Sequence, residues 1–484
     1  MTLNGIPALS RNHHSAHKQR QAGRAMLWIV AILGALGSML AVAFLLYQSV
    51  GKTPGELMDY AERRLDGHPR LERIALPLMA NLRDWLDAPS AAQRQRMPFV
   101  VAPPPKLIVE SAPTKTNRQA GETGRILRVG PGREFLSIAM AAKEARDGDI
   151  VEIDAGNYYG DVAVWNQKRL TIRGVGGRAR LHAAGKSAED KAIWVIRNGT
   201  FDISNIDFVG ARVSDQNGAG IRFEDGYLKI SNALFWQNEN GLLTGAGGTA
   251  SRSRVDIEDC EFGYNGNGDG YSHAIYIGNI ERLRVTGSYF HHGNIGHLIK
   301  SRARSTELRY NRITDEAGGR ASYEVDIPNG GEAILIGNII QQDRETANSA
   351  LISYGQEGYL WPVNRLYLIN NTLINDHPYG GAFLRAADGA DGIISANNLL
   401  SGIGKFHSTA PLTVWNDIRA SWSMFERPTR YDYRPSPLGS NNLFKPPPPD
   451  LLDGRLLPTR QFNNQAGIGS LPIAGELIHA GALQ

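Results

Sequence analysis

"ISNALFWQNENGLL", residues 230–243, runs from an aliphatic residue through a polar corner to a phenylalanine, and the phrase returns as "IEDCEF" at 257–262 and "VTGSYF" at 285–290. "LRYNRI" (308–313), "LIGNII" (335–340), "LINNTL" (368–373) and "ISANNL" (394–399) continue it. Taking Phe208, Phe235, Phe262, Phe290, Ile313, Ile340, Leu373 and Leu399 as equivalent gives steps of 27, 27, 28, 23, 27, 33 and 26 residues. A period in that range indicates a solenoid. Aliphatic residues alternate with polar ones, as short strands require, and Gly or Asn marks the corners. No unit contains a second helical stretch, which argues against leucine-rich and helical repeats. Coils stacked ~4.8 Å apart give parallel sheets around an interior of Ile, Leu, Val and Phe. Asn232, Asn311, Asn338, Asn371 and Asn397 are expected to form corner ladders that satisfy turn backbone.

Composition agrees with a large β architecture, since 484 residues include 54 glycines and only 21% charged side chains. The net charge is +4, but Arg11, Lys18, Arg20 and Arg24 precede any acid, so the rest of the chain is neutral in sum. That balance gives no reason to expect nucleic acid as a partner, and no phosphate loop or nucleotide fingerprint occurs. Cys260 is the only cysteine, so an intrachain disulfide and a cysteine-based metal site are excluded.

"AMLWIVAILGALGSMLAVAFLLY" is an uncharged run of about 22 residues, which as a helix would span roughly 33 Å. Residues 26–48 are therefore expected to cross a membrane, with the basic tail 1–25 held in the cytoplasm. A cleaved signal, with "AVA" at 41–43 as its cleavage site, is the competing reading. The bulk of the chain is then exported, which in a bacterium means an inner-membrane anchor and a periplasmic body. Leu57, Tyr60, Ala61 and Leu65, then Leu76, Met79, Leu82, Trp85 and Leu86, predict a helical stalk over 52–95, broken near Pro69. Residues 96–123, rich in proline and small polar residues, read as an extended linker.

Residues 135–177, "FLSIAMAAKEARDGDIVEIDAGNYYGDVAVWNQKRLTIRGVGG", carry a short helix at Ala141–Ala145, a turn at Gly148 and Asp149, a Gly156-x-Tyr158 step and the strand Leu170–Gly174. In this the chain resembles the opening of the right-handed parallel β-helix proteins of the pectate-lyase-like class. The resemblance covers about residues 125–410 and implies an all-β solenoid (124–410) whose first coil is capped by a helix. That fold hosts lyases, hydrolases, epimerases and adhesins, so it does not fix the chemistry. Residues 411–484 are expected to form a strap, not a further coil, which lies back along the solenoid.

Aligning Ile275, Ile299 and Val325 as core positions puts "HAIYIGN", "HLIKSRA" and "YEVDIPNGG" above one another. Alternation then aims Tyr276, Lys300, Arg302, Glu324 and Asp326 outward on one face. Uronate β-elimination needs a base for the C5 proton, a cation or metal for the carboxylate, and an acid for the leaving oxygen. Lys300 suits the base if Arg302 or burial lowers its pKa, Arg302 the carboxylate clamp, and Tyr276 the proton donor. Substrate contacts are expected from His292, His273, His297, Arg320 and Asn329. "IKS" at 299–301 resembles the base-bearing strand of the chondroitinase-B-like and alginate-lyase β-helices, which implies lysine as the base. Asp326 stands where that family has an arginine in the next coil.

No cofactor is firmly implied, although the chemistry leaves room for Ca2+, and the histidine spacing does not suit zinc. The Asp-Asp pair of the polygalacturonase-like pattern and the D-P-H-D of mannuronan epimerases are missing. The leading expectation is a membrane-anchored polysaccharide lyase acting on an acidic polysaccharide or oligosaccharide. Its rival is a non-catalytic binding or scaffold subunit working with export-complex proteins. A glycoside hydrolase using Glu324 and Asp326 is the outsider.

Overall fold

Each coil turns alternate residues of its short strands inward, such as Leu283 and Val285 or Ile275 and Ile277, and stacking them forms three parallel faces. The computed structural model describes residues 98–107 and 123–484, apart from 246–250, 347, 378–379, 442, 465–467 and 478. Face one is a 10-stranded parallel sheet from Ala163–Trp165 to Lys405–Ser408. Faces two and three belong to one 21-stranded sheet, because Ile150–Tyr159 and Arg169–His182 bend from one face into the other without a break. The architecture is that of a parallel β-helix. The expected tail, membrane span and stalk lie outside the described residues, among which no helix is long and apolar enough to cross a membrane.

The interior is a set of like-on-like stacks. Phe208, Phe235, Phe262 and Phe290 pair in register, with ring centroids 5.0, 4.5 and 4.6 Å apart. Ile313, Ile340 and Leu373 extend the row. It ends at Leu400, one place beyond the expected Leu399. Leu399 points outward and packs with Ala482 and Phe462 of the C-terminal segment. Each buried phenylalanine contributes about 1.5–3 kcal/mol relative to exposure.

The corner between faces two and three explains the recurrent asparagines. Asn205, Asn232, Asp259, Tyr310, Asn370, Asn397 and Asn416 adopt positive φ there, and Gly287 and Gly337 fill the same row. Asn tolerates the left-handed region better than most residues, so it recurs where the chain must reverse. One residue later a buried ladder begins. The Cys260 N–H donates to Ser288 Oγ, the Ser288 N–H to Asn311 Oδ1, and the chain continues through Asn338, Asn371 and Asn398 to Asp417. The expected ladder therefore mixes two rows: Asn311, Asn338 and Asn371 are rungs, whereas Asn232 and Asn397 are left-handed corner residues.

The helix Ile138–Glu144 closes the first coil with Ile138, Ala141 and Ala142 buried. Ser137 caps it by accepting from the Met140 N–H, and Asp161 accepts from the N–H groups of Ile138 and Ala139. At the other end the strands Leu412–Trp415 and Ile418–Ala420 pair with the preceding coil, so the solenoid continues to Ala420 and the expected boundary at 410 is one coil short. The remaining chain is the strap. Phe425, Tyr433, Phe462, Ala480, Ala482 and Leu483 cover the outward Ile339, Ile374 and Leu399 of face three. From the linker, residues 98–107 are laid along the same face: the Trp236 indole donates to the Ala102 carbonyl, Arg180 to Pro105 and Arg320 to Pro98.

Asn338 is fully buried and serves both neighbouring coils, so Asn338→Ala should cost about 2–4 kcal/mol in denaturation, through orphaned polar groups. Asn232→Gly keeps the positive φ accessible and should shift stability by less than about 0.5 kcal/mol. Equal losses at the two positions would contradict the two-row assignment.

Candidate functional site

Face one carries the site. Ile275, Ile299 and Val325 pair across three coils, and their partners Tyr276, Lys300 and Asp326 form an outward column. Lys300 Nζ lies 3.4 Å from Asp326 Oδ2 and 3.4 Å from Glu357 Oε1. Arg302 Nη2 lies 2.7 Å from Glu357 Oε2, and its Nε donates to the Tyr276 hydroxyl at 3.0 Å. Asn329 accepts from Arg302 and donates to the Gly358 carbonyl, tying the floor of the site to the loop that bears Glu357. The Trp361 indole donates to the Arg302 carbonyl at 3.1 Å and anchors the far end of that loop.

Asp326 is almost fully buried. Burial works against its charge, but His297 and Lys300 outweigh it and hold the carboxyl below the ordinary value. Glu357 is likewise held low, because Arg302 and Lys300 outweigh its partial burial. His297 Nδ1 sits 3.1 Å from Asp326 Oδ2, its ring packs edge-on to Tyr323 at 5.1 Å, and its Nε2 makes no hydrogen bond among the described residues. His273 packs against His297, 4.6 Å between ring centroids, and accepts from its backbone N–H. Burial, then the charges around it, push His273 well below the usual histidine range, so it is a neutral support.

Of the expected site residues, Tyr276, Lys300, Arg302, Asp326, His273, His297 and Asn329 therefore meet on one face. Three do not. Glu324 was expected to point outward with Asp326, but it is fully buried at the corner preceding its strand, its N–H donating to the Leu351 carbonyl and its carbonyl accepting from the Ile299 N–H of the adjacent coils. Strand alternation fails there because the chain is still turning. Burial, with Asp315 and Asp343 nearby, raises its pKa well above the ordinary value. The pairing of Glu324 and Asp326 as hydrolytic carboxylates is thereby lost. His292 lies on face three, stacked on Tyr264 at 4.5 Å, where burial and then His291 bring it down to about 4. Arg320 holds the 98–107 segment, with its guanidinium over the Phe99 ring.

The residue missed from sequence is Glu357. Its signal was the 33-residue step between Ile340 and Leu373, an insertion of about six residues relative to the common repeat, which carries the loop back over an earlier coil. Arg302 turns its guanidinium toward Glu357, which Lys300 also reaches. Ca2+ does not suit this donor set: Asp326 and Glu357 are each engaged by cationic side chains, and among the described residues no group of three or more His, Cys, Asp or Glu is placed to hold a metal ion.

No family model and no curated protein matches the chain. Among solved structures it is similar to the pectate lyase Pel9A, with a TM-score of 0.46 and 14% identity over 75% of this chain and 97% of that one. It is also similar to ORF18 of Geobacillus virus E2, with a TM-score of 0.32 and 12% identity over 56% of this chain and 53% of that one.

Among the described residues the Glu324 carboxylate has no hydrogen-bond partner, so Glu324→Gln removes an ionisation without breaking any bond seen there. A carboxyl whose folded pKa is raised contributes stability below its unfolded pKa and loses it as pH rises toward the folded value. The variant should match the parent near pH 4 and exceed it by about 1 kcal/mol or more at pH 8. Parallel stability–pH profiles would show that Glu324 titrates normally.

Proposed function

We propose that this protein binds and cleaves a uronate-containing polysaccharide by β-elimination on face one. The observation that carries this reading is Glu357, which bridges Lys300 and Arg302 from a partly exposed loop as a sugar carboxylate would. A uronate carboxylate that displaces Glu357 inherits both cations, which then stabilise the charge that develops when C5 loses its proton. Lys300 thus serves as a clamp in place of its expected role as base, since both its neighbours are carboxylates. His297, oriented by Asp326, takes the C5 proton through Nε2. The C4–O bond breaks as the C4–C5 double bond forms, and Tyr276 gives its proton to the departing oxygen. Water returns that proton to Tyr276 and removes the one on His297.

The second reading, an acidic-polysaccharide-binding subunit of an export assembly, is favoured by one feature: both cations already have carboxylate partners. Either role suits a body tethered to the bacterial inner membrane by residues 26–48 and facing the periplasm, where a polymer in transit stays close to its handler.

Incubating the protein with alginate, pectate, glycosaminoglycans and bacterial exopolysaccharides, while following absorbance near 232 nm, tests the chemistry. A rise that His297→Ala abolishes with binding retained, and that Lys300→Ala or Arg302→Ala loses together with binding, supports the lyase. Binding without any rise moves the subunit reading to first place. Glu357→Gln should tighten binding of the active polymer about tenfold, because the internal competitor loses its charge. Weaker binding in that variant would make Glu357 a substrate contact instead of a stand-in.

A further inference from the structure

The strap builds a second pocket on another face. Its hairpin Phe425–Arg427/Asp432–Pro435 is pinned to the solenoid by Phe425 and Tyr433, both buried against outward residues of face three. Between hairpin and solenoid lies a cavity of about 410 Å3, lined by Arg312, Arg427, Arg430, Tyr431, Asp432, Arg434 and Asn464. Its size falls within the ~300–1,000 Å3 typical of small-molecule sites. Four arginines thus face one aspartate.

The internal pairing does not use up these cations. Arg312 is committed, with Nη2 2.8 Å from Glu316 Oε1 and Nη1 donating to Asn464 Oδ1. Arg427 and Arg434 share the single Asp432, at 3.1 and 2.6 Å, and both remain substantially exposed. Asn464 donates to the same carboxylate, so the two polar walls are cross-braced. Arg430 has no carboxylate partner among the described residues and projects from the turn Pro428–Arg430. Tyr431, next to it, holds φ 58°, a left-handed conformation unusual for a bulky side chain. Arg427 and Arg434 converge on Asp432, and Arg430 lines the same cavity. Guanidinium forks match the planar oxygens of carboxylates and phosphates, and the half-buried Tyr431 ring offers an apolar wall beside them.

We propose that this pocket is a second ligand site, specific for an oxyanion group carried by a sugar carboxylate or a phosphate. It shares no residue with the Lys300 face, and it stands whether or not that face is catalytic.

The test is calorimetric titration of the full chain carrying Lys300→Ala and Arg302→Ala with trigalacturonate and, separately, with inorganic phosphate. Salt-sensitive binding of one of them is expected, and the responsive probe identifies the source of the oxyanion. Arg430→Ala breaks no ion pair among the described residues and should weaken that binding about tenfold, while Arg430→Glu should abolish it. Unaltered melting in both variants separates ligand loss from loss of the hairpin. Failure of both probes to bind, or unchanged affinity in Arg430→Glu, would overturn the proposal; neither result touches the reading of face one.

Discussion

From Asp259 onward each coil turns sharply from face two into face three, and the stacking there depends on how the backbone N–H just past that corner is met. The corner residue sits at positive φ, which few side chains accept, and the next residue is sealed from water between coils. A side-chain oxygen from the following coil accepts the bond, through Ser288, Asn311, Asn338, Asn371, Asn398 and finally Asp417. Each rung serves two coils, so the stack is locked in register. With register locked, Phe290 falls on Phe262 inside, and Tyr276, Lys300 and Asp326 fall on one another outside.

The same locking makes face one a rigid platform. Short strands leave little freedom for their outward side chains, and the charges there settle into a closed set: Lys300 and Arg302 against Asp326 and Glu357, with His297 behind Asp326. The other four groups are largely buried and Glu357 is half-exposed, which makes it the member an anionic ligand can replace. On face three the outward surface has the opposite fate. The segment 98–107 and the C-terminal strap cover much of it, and the strap arches over Arg312 to leave the arginine-lined cavity.

How far the sequence could be read tracks how local the physics is. The 27-residue recurrence follows from side-chain alternation and stacking, so seven of the eight inward positions and the column at 276, 300 and 326 were legible. The eighth slipped by one because "ISANNLL" contains adjacent asparagines and adjacent leucines, so counting cannot tell corner from rung, or inward from outward. Glu324 defeated the reading for a related reason: alternation holds only within a strand, and Glu324 lies on the turn before it. Residues 411–420 looked like strap because their alternation is poor, yet hydrogen bonding to the previous coil makes them strands.

By itself, the sequence determined a parallel solenoid, its core rows, and a cluster of ionisable groups on one outer face, because each follows from spacing along the chain; the helical cap was implied by resemblance. Only the tertiary structure decided which charges pair. Glu357 reaches Lys300 from 57 residues away, and the segment around Arg430 reaches Arg312 from more than a hundred. Loops and straps are positioned by the surfaces they cover, not by any period of their own, so the partners they bring to a site leave almost no trace in the spacing of residues.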